Sequence, residues 1–271
     1  MTTSLDASFE PPPPPPPPGG HGLLDGKVVV VTAAAGTGIG SATARRCLEE
    51  GASVVLSDAH ERRLNETSEQ LASEVGGPDR VHALTCDVRD ESQVGGLYDG
   101  AVARFGRIDV AVHNAGLGGT VPLLEMTDEQ WSTVIDITLT GTFRCTRAAL
   151  KRLLPQKSGV IVNNASVLGW RAQPGQAHYA AAKAGVMALT RCAAAEAAAA
   201  GVRVNAVSPS LAEHPFLNRA IPDEDLAVLR RRELFGRGAE TWEVANVIVF
   251  LASDYSSYLS GEVISVSSQH P

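Results

Sequence analysis

Val28 to Val31 is an unbroken run of four valines, and it leads straight into T-A-A-A-G-T-G-I-G, Thr32 to Gly40, and a helical stretch from Ser41 to Glu50. A strand that is β-branched at every position has both faces buried, which requires a parallel sheet covered by helices on both sides. A glycine-rich turn between such a strand and a helix brings backbone close to an anion. Gly38 and Gly40 would let a pyrophosphate meet the helix N-terminus, where free amides and the helix dipole favour negative charge. A plain tight turn would use the same glycines.

The same alternation continues along the chain. A second strand, Ser53 to Ser57, ends at Asp58. An acidic residue about 20 positions beyond a glycine loop can accept both hydroxyls of an adenosine ribose. Asp58 is also a good N-cap for the next helix, His60 to about Glu74, and the two roles are compatible. Further strands are read at Val81 to Leu84, followed by Cys86-Asp87-Val88, and at Ile108 to Val112, ending in H-N-A-G, His113 to Gly116. Strands at Val160 to Asn163, Arg203 to Val207 and Glu262 to Val266 complete the set. Helices fall between them: Glu91 to Phe105, Asp128 to Leu153 with Thr138 near its middle, His178 to Ala200, and Thr241 to Ala252. Strands and helices in strict alternation predict an α/β, doubly wound parallel sheet.

Before this pattern starts, Pro11 to Pro18 is a proline run closed by Gly19 and Gly20. It favours polyproline II. Residues 1–22 read as a disordered leader or as a ligand for an SH3- or WW-like partner. With 271 residues, 44% hydrophobic and 20% charged, the remainder suits one domain, 23–271. A formal net charge of −7 argues against nucleic-acid or anionic-membrane partners. No apolar run approaches the roughly 20 residues of a membrane span. The N-terminus lacks the charged and apolar regions of a signal peptide. Cys47, Cys86, Cys145 and Cys192 are scattered, with no metal-ligand spacing. A reduced, cytoplasmic protein without a metal site is expected.

The chemistry-bearing stretch is H-Y-A-A-A-K, His178 to Lys183. Tyr179 and Lys183 stand four apart, on one helix face. A neighbouring ammonium lowers a phenol's pKa, and a tyrosine tuned in this way can exchange a proton with an alcohol or ketone. Ser166, in V-N-N-A-S-V-L-G, can hold the reacting oxygen. The spacing alone also fits an ordinary aromatic and a solvated lysine.

In order along the chain stand the glycine loop, Asp58, Cys86-Asp87-Val88, Asn114-Ala115-Gly116, Ser166, Tyr179-x-x-x-Lys183 and Ser208-Pro209. This ordered set resembles the short-chain dehydrogenase/reductase superfamily over about Leu24 to Ser268. The resemblance implies a Rossmann-type, seven-stranded sheet and a homo-oligomer, tetramer or dimer. It implies Tyr179 as acid/base, Ser166 on the substrate oxygen, Lys183 on the nicotinamide ribose, and Thr138 in the place of a relay asparagine. A nicotinamide dinucleotide would lie on Thr32, Gly36, Thr37, Gly38, Ile39, Gly40, Asp58, Asp87, Val88, Asn114, Ala115, Gly116, Tyr179, Lys183, Pro209, Ser210 and His214. Asp58, with no Lys or Arg between Thr32 and Gly40, favours NAD over NADP. The substrate would meet Ser166, Leu168, Trp170 and Tyr179.

Four features depart from the superfamily pattern. Ala33 replaces the first loop glycine and one extra residue precedes Gly38. Thr138 replaces the asparagine. Pro209-Ser210 replaces P-G, with His214 at a frequent threonine. Val266-Ser267-Ser268-Gln269 replaces V-D-G-G.

V-T-A-A-A-G-T-G-I-G, N-N-A-S-V-L-G-W-R-A-Q and A-S-D-Y-S-S-Y are similar to a bacterial subgroup assigned to steroid C/D-ring breakdown, which shares the odd loop and the threonine. The substrate implied is a methyl-indanone acyl-CoA. Val167, Leu168 and Trp170 would then wall the fused rings, or simply pack the core. Arg219, Arg230, Arg231, Arg232 and Arg237, in the irregular stretch Ser208 to Gly238, would meet CoA phosphates or form a solvated face. The alternatives are a 3-oxoacyl-thioester reductase-like enzyme, or a non-catalytic nucleotide-binding regulatory or scaffold protein.

Overall fold

The structure, a computed structural model, describes residues 11, 13–215, 217 and 223–268. The expectations for residues 1–10, Pro12, Arg219 and Gln269 lie outside these. Seven parallel strands form one sheet: β1 Val28–Thr32, β2 Ser53–Asp58, β3 Val81–Thr85, β4 Val110–His113, β5 Gly159–Asn164, β6 Val202–Pro209 and β7 Val263–Val266. Their order is β3-β2-β1-β4-β5-β6-β7. The sheet grows outward from β1 in both directions, so the order reverses between β1 and β4. Loops leaving the carboxyl ends of these two strands part there and open a crevice.

Side chains alternate between faces along each strand. Val29, Val31, Val54, Leu56, Val110, Val112, Val160 and Val162 pack on one face. Helices α1 Ile39–Glu49 and α8 Thr241–Ala252 cover that face. Val30, Val55, Ala111, Ile161, Val202 and Val204 pack on the other. Its cover is α3 Glu91–Phe105, α5 Gly141–Gln156 and α6 Ala177–Ala197. Cys145, Ala148 and Ala149 of α5 pack in one core with Ala193, Ala194 and Ala197 of α6. These small side chains let the two helices approach closely.

Three details differ from the sequence reading. The helix expected from Asp128 to Leu153 is α4 Asp128–Ile135 and α5, joined by a π-helical turn, Asp136–Thr140. Helix α2, Glu61–Leu71, gives way to another π-turn at Ala72–Gly76. Within the irregular stretch after β6 lies a helix, α7 Asp223–Arg230.

The end of the leader is fastened to the domain. The Glu50 carboxylate, fully buried, accepts from the amides of His21 (2.8 Å) and Leu23 (3.0 Å). It also pairs with Arg46 at 2.7 Å. Arg46 in turn donates to the Pro18 carbonyl at 3.1 Å and, through Nε, to Asn246 of α8 at 2.9 Å. Such a buried pair keeps its value only with its remaining valences filled, as they are here. Among the described residues no helix is long and apolar enough to cross a membrane.

Candidate active site

Ser166 leaves β5 in extended conformation, and its Oγ accepts from the Leu168 amide at 3.3 Å, capping the short turn Val167–Gly169. Tyr179 and Lys183 project from successive turns at the start of α6. The Ser166 hydroxyl lies near enough to the Tyr179 phenol to lower its pKa. The Lys183 side chain runs beneath the tyrosine ring, with Nζ 5.5 Å from the ring centroid, and donates to the Asn164 carbonyl at 2.5 Å.

The expected downward pull of Lys183 on Tyr179 is not what the site produces. Enclosure of the phenol end raises its pKa above the ordinary value, and the nearby Ser166 hydroxyl opposes only part of that rise. Lys183 is 2% exposed, and burial lowers its pKa to about 7. An ammonium half deprotonated at neutral pH is a weak electrostatic partner. Burial, which the four-residue spacing does not reveal, decides both directions.

Around this trio the strand ends are stitched together by polar groups. Thr32 Oγ1 accepts from the amides of Asn114 (3.0 Å) and Ala115 (3.3 Å). Asn114 Nδ2 donates to the Ala33 carbonyl at 3.1 Å, and Asn164 Nδ2 donates to Asn114 Oδ1 at 2.8 Å. A Cβ on Gly40 would lie 2.1 Å from the Ala33 carbonyl oxygen, so glycine alone fits there. Ala33 itself sits at φ 50, the left-handed region where the superfamily places a glycine. The loop keeps the glycine's backbone shape and bears the strain of a Cβ. Ala33→Gly is therefore expected to stabilise the protein by about 0.5–1 kcal/mol, the left-handed penalty less the extra freedom glycine gives the unfolded chain. Chemical denaturation of the two proteins measures it; a destabilised variant would contradict the strain.

The extra loop residue is absorbed at Gly36, φ +84, whose amide donates to Thr67 Oγ1 at 2.9 Å. Gly38 precedes α1 with no side-chain cap, and a Cβ there would point into open space. Thr37 is exposed and Ile39 half-buried at the helix start. Asp58 does not cap α2, whose N-cap is His60. Its carboxylate accepts from the His60 amide (2.9 Å) and the Ala35 amide (3.3 Å), at the rim of the loop. Asp87 is gripped by Arg89, with Nη2 to Oδ2 at 2.6 Å, while Val88 is buried beside Gly141. A Cβ on Gly116 would fall 3.4 Å from Lys183 Nζ. Asn164 Oδ1 is buried beside Lys183 without a hydrogen-bond partner. A bare glycine before an uncapped helix, a carboxylate at the end of β2 and an orphaned acceptor by the lysine suit a dinucleotide laid across the crevice.

Residues 33–268 match the family model described as enoyl-(acyl carrier protein) reductase. The crystal structure of a short chain dehydrogenase from Mycobacterium smegmatis superposes with a TM-score of 0.84 at 58% identity, covering 95% of this chain and 98% of that one. The chain belongs to the short-chain dehydrogenase/reductase family. It is 65% identical over 93% of its length to a Mycobacterium tuberculosis protein, (5R,7aS)-5-hydroxy-7a-methyl-1-oxo-2,3,5,6,7,7a-hexahydro-1H-indene-carboxyl-CoA reductase, covering 95% of that protein. It is also 39% identical to a 3-oxoacyl-[acyl-carrier-protein] reductase of Thermotoga maritima, over 90% of this chain and 97% of the relative. As a short-chain dehydrogenase/reductase it is an oxidoreductase whose Rossmann-type fold binds a nicotinamide dinucleotide.

Several expected residues of this short-chain dehydrogenase/reductase are differently employed. Thr138 is fully buried in the π-turn; its hydroxyl accepts from the Leu117 amide (3.0 Å) and donates to the Leu117 carbonyl (3.2 Å). Its only donor is spent on tethering that loop, which leaves no proton to hand to a relay water. Ser210 turns its hydroxyl to Glu233 at 3.0 Å, so only its backbone faces the sheet edge beside Pro209. Burial lowers the pKa of His214, whose Nδ1 accepts from the Leu217 amide at 3.3 Å. Val167 is core, as the packing alternative held, whereas Leu168 is half-buried and Trp170 is 51% exposed.

The arginine cluster is smaller than its sequence suggests. Arg230 is paired with Glu213, and Arg237 forks onto Glu243 at 2.7 and 2.9 Å. Arg231 and Arg232 are exposed. Sequence reasoning missed the Leu117 tether and the loop of residues 116–121 that it holds against α6. The consecutive Gly118 and Gly119 were the available signal.

Proposed function

We propose that this protein interconverts a secondary alcohol and a ketone on a bicyclic, steroid-derived acyl-CoA, using NAD(H) in preference to NADP(H). The observation that carries the reading is the 65% identity to the indene-carboxyl-CoA reductase over nearly the whole chain. A site with Ser166, Tyr179 and Lys183 side by side supports it. The nicotinamide, when bound, supplies or removes the hydride. The protein's own groups manage the oxygen and its proton. In reduction Ser166 and Tyr179 both contact the carbonyl oxygen, and the Tyr179 hydroxyl donates its proton to the nascent alkoxide. In oxidation the phenolate takes that proton back. Lys183, held by the Asn164 carbonyl, positions the cofactor ribose.

Asp58 sets the cofactor preference, because a 2′-phosphate would face a carboxylate already committed to two amides. The CoA phosphates have exposed guanidinium partners in Arg231 and Arg232. We place the enzyme in the cytoplasm as a homo-oligomer, tetramer or dimer.

The test follows nicotinamide absorbance with a hydroxy-methyl-indanone carboxyl-CoA, its free acid and a 3-oxoacyl thioester. The bicyclic thioester is expected to give the highest kcat/KM, with rising salt weakening it more than the free acid. Equal values for thioester and acid would remove the CoA part of the proposal. Preference for the linear 3-oxoacyl thioester would favour the reading suggested by the Thermotoga relative. Dissociation constants for the two dinucleotides are expected to favour NAD, and Asp58→Ala to narrow the gap; tighter NADP binding by the wild type would refute the preference.

A further inference from the structure

We propose that His178 is a second substrate contact, its Nε2–H donating to an oxygen of the substrate other than the one that reacts. This rests on the reading of Tyr179 as the acid/base of a bicyclic oxo or hydroxy substrate. His178 is 2% exposed and immediately precedes Tyr179 at the start of α6. Its Nδ1 accepts from the Tyr179 backbone amide at 2.9 Å, one of the helix's first amides, which has no carbonyl partner within the helix. An accepting Nδ1 carries no proton, so the neutral ring bears its proton on Nε2. Among the described residues no group accepts from that nitrogen. The residue as a whole is buried, yet Nε2 is not sealed off without a partner, so an oxygen from outside the protein can reach it.

Its surroundings show where the acceptor would come from. A Cβ on Gly119 would lie 3.8 Å from His178 Nε2, and one on Gly118 would lie 3.8 Å from Tyr179 Cδ2. The loop therefore passes the two rings with two bare residues in succession, which place no side chain of their own over either ring edge. The passage is held at both ends. Leu117 is tied to Thr138, the Val121 amide donates to the Gly175 carbonyl at 2.9 Å, and Gln176 donates to Thr120 Oγ1 at 3.0 Å. A rigid rim with a gap beside a donor takes a carbonyl or hydroxyl oxygen and rejects a cation. A fused-ring substrate carries its second oxygen at a fixed distance from the first, so one helix turn presenting both Tyr179 and His178 can read the pair.

The experiment compares a methyl-indane dione with the analogue whose non-reacting ketone is a methylene, in wild type, His178→Phe and Gly119→Ala. Gly119 has an ordinary backbone conformation, and a methyl at 3.8 Å from Nε2 is normal contact that covers the donor. The kcat/KM ratio of dione to analogue is expected to fall about two- to tenfold in both variants, the worth of one neutral hydrogen bond. His178→Phe also frees the Tyr179 amide, which acts on both substrates alike and cancels in the ratio. Should His178→Phe fail to fold, Gly119→Ala alone reads the contact. An unchanged ratio in Gly119→Ala and in any folded His178→Phe overturns the inference and leaves the oxidoreductase standing. If the wild type turns over neither compound, the proposed reaction fails instead, and the ratio of dissociation constants measured by calorimetry still decides the contact.

Discussion

Tyr179→Phe is expected to lower kcat by about 10²–10⁴-fold while the dissociation constant for the dinucleotide stays within a few-fold of wild type. The ring stays, so its packing over Lys183 and against the loop of residues 116–121 is preserved. What is lost is the one hydroxyl that meets Ser166. Because enclosure raises the phenol's pKa, the neutral form predominates at physiological pH, which suits proton donation to a ketone. Oxidation needs the phenolate, so its rate in the wild type is expected to climb with pH through the alkaline range while reduction does not. The variant should lose that slope. Initial rates in both directions across pH measure this, and a phenylalanine variant with most of its activity would end the assignment of Tyr179.

Lys183→Met is expected to cripple turnover and yet to stabilise the protein at neutral pH. In the unfolded chain a lysine stays protonated up to about pH 10.4. In the fold, burial brings the pKa of Lys183 to about 7. Between those values the unfolded state holds more protons, so the wild type gains stability as pH rises. At pH 7 the buried lysine costs on the order of 3–5 kcal/mol. Its removal is offset by about 1–3 kcal/mol for the Asn164 carbonyl left without its donor. Near pH 10 the first cost falls to about 1 kcal/mol, and the variant's advantage disappears or reverses. Urea titrations at the two pH values give the difference directly; an identical stability change at both would mean that Lys183 stays charged in the fold.

Much of the architecture could be read before any coordinates. Parallel strands announce themselves as β-branched runs, and both Glu91–Phe105 and Thr241–Ala252 are helices over the ranges read between the strands. The resemblance picked out Ser166, Tyr179 and Lys183, and the fold brings them together. What escaped was set by distant partners. The left-handed turn at Ala33 is invisible because alanine does not advertise it. The Thr138 hydroxyl in the π-turn is engaged by the Leu117 backbone, 21 residues away. The pKa directions of Tyr179 and Lys183 follow from enclosure, which spacing along a helix cannot report. Arg230 and Arg237 read as ligand groups in the sequence, whereas the fold sets Glu213 and Glu243 against them.

Arg46 joins parts of the chain that are made at very different times. Asn246, its Nε partner, is synthesised 200 residues later, yet both lie in the helical layer behind the glycine loop. A growing polypeptide thus exposes β1, α1 and β2 long before α8 can close over them. The apolar face that α8 will cover stays wet during that interval, and the buried cation of α1 lacks one of its acceptors. Contacts of such long sequence separation slow folding and lengthen the exposure of sticky intermediates. The first half of the sheet is therefore among the earliest parts translated, and its outer layer is complete only once α8 has packed on it.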